Sequence, residues 1–95
     1  MKLRENEARA FHRHQKMNRI KNSVARALTQ KNYRVTNKGE GYHVGLHEDG
    51  VLVSWKQTGR VTDSEKVQEH LNAVYPLVKK YHPRDTAEGL LITVF

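Results

Sequence analysis

The stretch Tyr42-His-Val-Gly-Leu-His-Glu-Asp-Gly-Val-Leu-Val-Ser-Trp55 decides how this chain folds. Apolar residues alternate through Tyr42, Val44 and Leu46, and again through Val51, Val53 and Trp55. A period of two marks a half-buried strand, because successive side chains point to opposite faces. Asp49-Gly50 separates the two runs and suits a type I′ turn, in which both central residues take positive φ. With that two-residue loop, Leu46 faces Val53, Val44 faces Trp55 and Tyr42 faces Gln57. A four-residue loop from His47 to Gly50 keeps the same apolar face, whereas a three-residue loop scrambles it. The stretch is predicted to be a hairpin with one buried face.

Helical periodicity flanks it. Met17, Ile20, Val24, Ala27 and Leu28 form one apolar stripe, and the opposite face carries Gln15, Arg19, Asn22, Arg26 and Thr29. This helix is expected to end near Gln30–Asn32, because Tyr33-Arg-Val-Thr36 alternates like a short strand. Asn37-Lys-Gly-Glu-Gly41 reads as a turn. Residues 1–16 are charged and loosely periodic, with Phe11 and Arg13 off the stripe. They form a basic N-terminal arm or helix extension before a single α/β domain, 17–95. Beyond the hairpin, Gln57-Thr-Gly-Arg60 breaks the pattern and Thr62-Asp-Ser-Glu65 has capping-box spacing. Val67, Leu71, Val74, Val78 and Tyr81 make a second helical stripe, with Pro76 on the opposite side as a kink rather than a stop. His82 to Gly89 reads as a loop. Leu90-Leu-Ile-Thr-Val-Phe95 reads as a buried central strand or a dimer edge. The expected fold class is α+β: a two-layer α-β-β-β-α-β domain with an antiparallel meander and two amphipathic helices.

Composition narrows the function. Ninety-five residues make one small domain, for which a homodimer is expected to supply missing burial. The absence of cysteine excludes disulfides and zinc–thiolate sites. No apolar run nears the roughly 20 residues of a membrane span, and the first residues have no signal-peptide core, so a cytoplasmic protein is expected. The charge is lopsided: residues 1–38 hold 11 Lys/Arg and 2 Glu, while residues 39–95 hold 6 Lys/Arg and 8 Asp/Glu.

Six histidines invite a metal site, but spacing opposes it. His12 and His14 point about 160° apart on a helix, and His43 and His47 lie roughly 13 Å apart along a strand. Neither pair closes on an ion whose ligands sit near 2 Å. Ser23, Ser54 and Ser64 have no local base, and Gly39-Glu-Gly41 is too short for a phosphate loop. No metal or cofactor is expected. Tyr42 and Trp55 belong to the hairpin core rather than to base stacking.

The basic helix carries the chemistry. Lys and Arg contact phosphates, while Arg, Asn and Gln read base edges. Arg9, Arg13, Lys16, Arg19, Asn22, Arg26 and Lys31 are therefore the candidate nucleic-acid-binding residues, with duplex DNA favoured over RNA. The same charge also suits an acidic host or partner protein.

Leu28 to Arg60, with Tyr33-Arg-Val-Thr36, the glycine turn and His43, resembles HicA-type toxins, small mRNA interferases with a double-stranded-RNA-binding-like fold. That resemblance implies His43 as an acid/base on RNA, with Lys38 nearby. It departs where Tyr42 replaces the family's small residue before the histidine. The helix and strand order is also similar to that of double-stranded-RNA-binding domains, except that the second helix begins with Asp63-Ser-Glu65 instead of lysines. The pattern Tyr42-x-Val44 followed by Asp49-Gly-Val-Leu-Val-Ser-Trp55 resembles small actinobacteriophage proteins, which implies a phage accessory protein in the host cytoplasm.

Overall fold

Among the described residues, two helices and four strands follow the order α1 (Glu5–Gln30), β1 (Gly41–His47), β2 (Gly50–Lys56), α2 (Ser64–Val78), β3 (Arg84–Asp85) and β4 (Leu90–Thr93), with a short 3-10 turn at Lys79–Tyr81. The computed structural model describes residues 5–57 and 64–95, and side chains from Phe11 onward. Lys2 and Arg4 of the expected arm, the break at Thr58–Arg60, and Thr62 and Asp63 of the expected capping box lie outside these residues. The strands form one antiparallel sheet in the order β1-β2-β4-β3. The α+β class is as the sequence predicts.

The hairpin keeps its predicted face, but its loop is neither of the two considered: Glu48 and Asp49 connect the strands, one position before Asp49-Gly50, and the register is the one expected for the four-residue loop. Tyr42 pairs with Trp55, Val44 with Val53 and Leu46 with Val51, and His47 and Gly50 close the ladder. Neither Glu48 nor Asp49 has positive φ, so the turn is not type I′. Gly50 belongs to β2 and serves a different purpose. It pairs with Thr93 of β4, and a Cβ there would run into the Ile92 carbonyl oxygen and lie 2.9 Å from the Val94 nitrogen. The amide of Val94 then donates to the Asp49 carbonyl at 3.0 Å, fastening the chain after β4 to the hairpin turn.

The third strand comes from elsewhere than expected. Residues 33–36 make a single parallel bridge, Val35 to Tyr42, instead of a strand. Tyr42 N–H donates to the Arg34 carbonyl at 2.8 Å, and Thr36 N–H donates to the Tyr42 carbonyl at 2.9 Å. Residues 82–89 in turn contribute the two-residue strand β3, which pairs Arg84 with Leu91 and Asp85 with Leu90. A two-residue strand is too short to show periodicity. As a result β4 lies inside the sheet, between β2 and β3.

Asn32 explains where α1 stops. It adopts φ 65°, and the amides of Asn32 and Tyr33 donate back to the carbonyls of Thr29 and Leu28 at 3.0 Å each. This is a Schellman closure with asparagine in the left-handed position. No break occurs at Met17: one helix runs across the expected boundary between arm and domain.

Both helices cover the same sheet face. Met17, Val24 and Leu28 from α1 meet Leu71, Val74 and Val78 from α2 over Tyr42, Val51, Val53, Leu90, Ile92 and Val94. The stripe predicted for α2 is therefore its buried face, and the helix continues through the exposed Pro76. Two tyrosines tie α2 to the rest: Tyr42 Oη donates to the His70 carbonyl at 2.7 Å, and Tyr33 Oη donates to that of Ala73 at 3.4 Å.

Candidate nucleic-acid interface

Rotation about α1 separates its arginines into two groups. Arg13, Met17, Ile20 and Val24 follow helical spacing and lie on the inward side, so Arg13 extends the apolar stripe rather than leaving it. Its guanidinium is committed to the backbone of the body. Nε donates to the Val94 carbonyl at 2.9 Å, and Nη2 donates to the Glu48 carbonyl at 2.7 Å. Arginine presents its donors as a fixed fork, which suits two carbonyls held side by side. They are held so because Val94 is itself bonded to Asp49. Arg13 thus clamps α1 to the hairpin turn and the chain end, a geometry different from that of a free phosphate-binding side chain.

On the outward side Gln15, Arg19, Asn22 and Arg26 are all exposed. At about 100° per residue they fall within one narrow ridge opposite Met17, Val24 and Leu28. Among the described residues none of the four side chains has a hydrogen bond or ion pair. Lys16 is exposed on the flank of the ridge, and Lys31 is exposed just past the helix end. Arg9 lies in the helix, but its side chain is outside the described part. From Ala8 to Gly39 the chain contains no Asp or Glu and nine Lys or Arg. Nothing within that stretch neutralises the ridge locally, so its field reaches solvent to about a Debye length.

A further ridge residue escaped the sequence reading. Phe11 sits one helical turn before Gln15 on the same side and is 52% exposed. The signal was its spacing of four from Gln15 and eight from Arg19, which breaks the apolar stripe but continues the polar one.

The hairpin aromatics are occupied. The Tyr42 and Trp55 rings meet edge-on at 4.7 Å, and Trp55 stacks on His70 at 3.6 Å with 13° between planes. Burial raises the Tyr42 phenol above its ordinary pKa of 10.0, and the neighbouring Tyr33 pushes it the same way. The buried Trp55 Nε1 and Gln57 Oε1 have no partner among the described residues.

The histidines are dispersed. His43 is half-buried, and its Nε2 lies 3.3 Å from the Gly39 carbonyl. His47 Nδ1 accepts the Asp49 amide at 3.0 Å, which leaves Nε2 as its protonated nitrogen, 3.8 Å from Glu88 Oε2. Among the described residues no group of three His, Asp or Glu is placed to hold a metal ion. No described helix is long and apolar enough to cross a membrane.

No protein-family model, curated protein or solved structure matches the chain.

Proposed function

We propose that the chain is a non-enzymatic nucleic-acid-binding protein whose ligand is duplex DNA and whose contact surface is the outward ridge of α1. The observation that carries this is the exposed row Gln15, Arg19, Asn22 and Arg26, free of local partners, within a stretch that has no carboxylate from residue 8 to residue 39. Arg19 and Arg26 are two turns apart, about 10 Å along the axis. That spacing lets both guanidinium groups reach phosphates while Asn22 and Gln15 face base edges in a groove about 12 Å wide. Lys16, Lys31 and Arg9 supply flanking phosphate contacts. Arg13 has a supporting role: it fixes the angle at which α1 leaves the body. The protein acts as a homodimer in the cytoplasm, and the likeness of its hairpin to small actinobacteriophage proteins suits an accessory role in an infected host.

The test is an anisotropy titration with labelled duplex DNA, duplex RNA and polyglutamate across salt. The proposal expects DNA to bind best, with log affinity falling linearly in log salt. Equal binding of polyglutamate would shift the reading to an acidic protein partner. No binding at low salt would end it.

A further inference from the structure

Phe11 is the feature of α1 that a purely cationic surface leaves unexplained. It is 52% exposed, its one ring contact among the described residues is the adjacent His12 at 5.9 Å, and it is not part of the core cluster. Apolar side chains are common on surfaces, and one alone means little. This one continues a row whose other members are all polar and uncommitted, one helical turn beyond Gln15. It also stands about 22 Å along the axis from Arg26.

We propose that Phe11 stacks on an unpaired base, so that the preferred ligand is a duplex interrupted by a bulged or frayed nucleotide rather than a continuous helix. This rests on the proposed nucleic-acid function of the same ridge. Gln15 and Asn22 on base edges, with Arg19 and Arg26 on phosphates, already span about 16 Å of helix axis, a full set of contacts for one helix in a groove. A phenyl ring one turn further on meets sugar and phosphate if the duplex continues, and gains nothing from that anionic surface. If the duplex is interrupted there, the ring meets the face of a base, and stacking of that kind is independent of sequence. Arg13 makes the placement reproducible. It lies two positions after Phe11, and its two bonds to Val94 and Glu48 hold this part of the helix to the body.

The experiment compares a continuous 16-base-pair duplex with the same duplex carrying one unpaired nucleotide. Both are titrated with wild type, Phe11→Ala, Phe11→Tyr and Arg19→Ala/Arg26→Ala. Wild type should bind the bulged duplex about tenfold more tightly, the size of one base stacked on an aromatic side chain. Phe11→Ala should abolish that preference, so that the two duplexes bind alike, and Phe11→Tyr should retain it. Circular dichroism of each variant checks that the fold is intact, as expected at an exposed position. If wild type binds both duplexes equally, or if Phe11→Ala keeps the preference, the stacking role is overturned and the function stands. If neither duplex binds wild type, or if the double arginine variant binds as wild type does, the function itself fails and the stacking role falls with it.

Discussion

Arg13 and Arg19 sit less than two turns apart on one helix, are the same residue type, and do opposite things. Arg13 faces inward and spends its donors on the carbonyls of Val94 and Glu48. Arg19 faces outward and makes no such bond among the described residues. Charge alone cannot assign either role, because each step along a helix turns the side chain by about 100°. The inner face of α1 should govern stability and leave binding alone, and the outer face should do the reverse.

The largest expected effect tests the inner face. Leu28 is fully buried, and Leu28→Ala should cost about 2–5 kcal/mol in a denaturant titration, from lost burial and the cavity left behind. A cost below about 1 kcal/mol would mean that α1 is not packed as described. Next comes the clamp. Arg13→Ala removes two charge-assisted hydrogen bonds from a partly exposed site and should cost about 1–3 kcal/mol. Arg13→Lys should recover only part of this, because an ammonium lacks the fork that reaches both carbonyls. Full recovery would show that charge, and not geometry, sets the role of Arg13.

A smaller effect concerns the sheet beneath. Tyr42→Phe deletes the bond to the His70 carbonyl and should cost about 1 kcal/mol near neutral pH. The phenol is held above 10.0 in the folded state, so the folded protein keeps the proton longer than the unfolded chain does. The stability this gives is complete below pH 10.0 and is lost as pH rises through the higher folded value. Wild type should therefore lose stability above pH 10.0 more steeply than Tyr42→Phe, and parallel profiles would remove the linkage. The smallest expected effect is on the outer face, where Arg19→Ala/Arg26→Ala should alter stability by no more than about 0.5 kcal/mol.

How much of this was legible in the sequence differs between elements for physical reasons. The hairpin face was legible because alternation survives either loop length. The register was not, since Asp49-Gly50 signals a turn whichever neighbours it takes. In the structure Gly50 is taken into β2 against β4, and Leu46 pairs with Val51. Strand β3 left no pattern, and residues 33–36 alternate without forming a strand because only Val35 bridges. On α1 the outer row was legible from helical periodicity alone. Arg13 was misplaced because a charged residue among charged residues looks like surface, although its spacing of four from Met17 puts it on the inner line. Nothing in the sequence places the Val94 and Glu48 carbonyls beside it, since they lie 81 and 35 residues further along the chain.

The most direct measurement is the salt dependence of duplex-DNA affinity for wild type and for Arg19→Ala/Arg26→Ala, with Arg13→Lys as a third arm. Each phosphate contact contributes about 0.9 to the slope of log affinity against log salt. Removing two should lower that slope by about 1.8, while Arg13→Lys leaves it unchanged. An unchanged slope in the double variant, or an equal loss in Arg13→Lys, would contradict the division of α1 into a structural and a binding face.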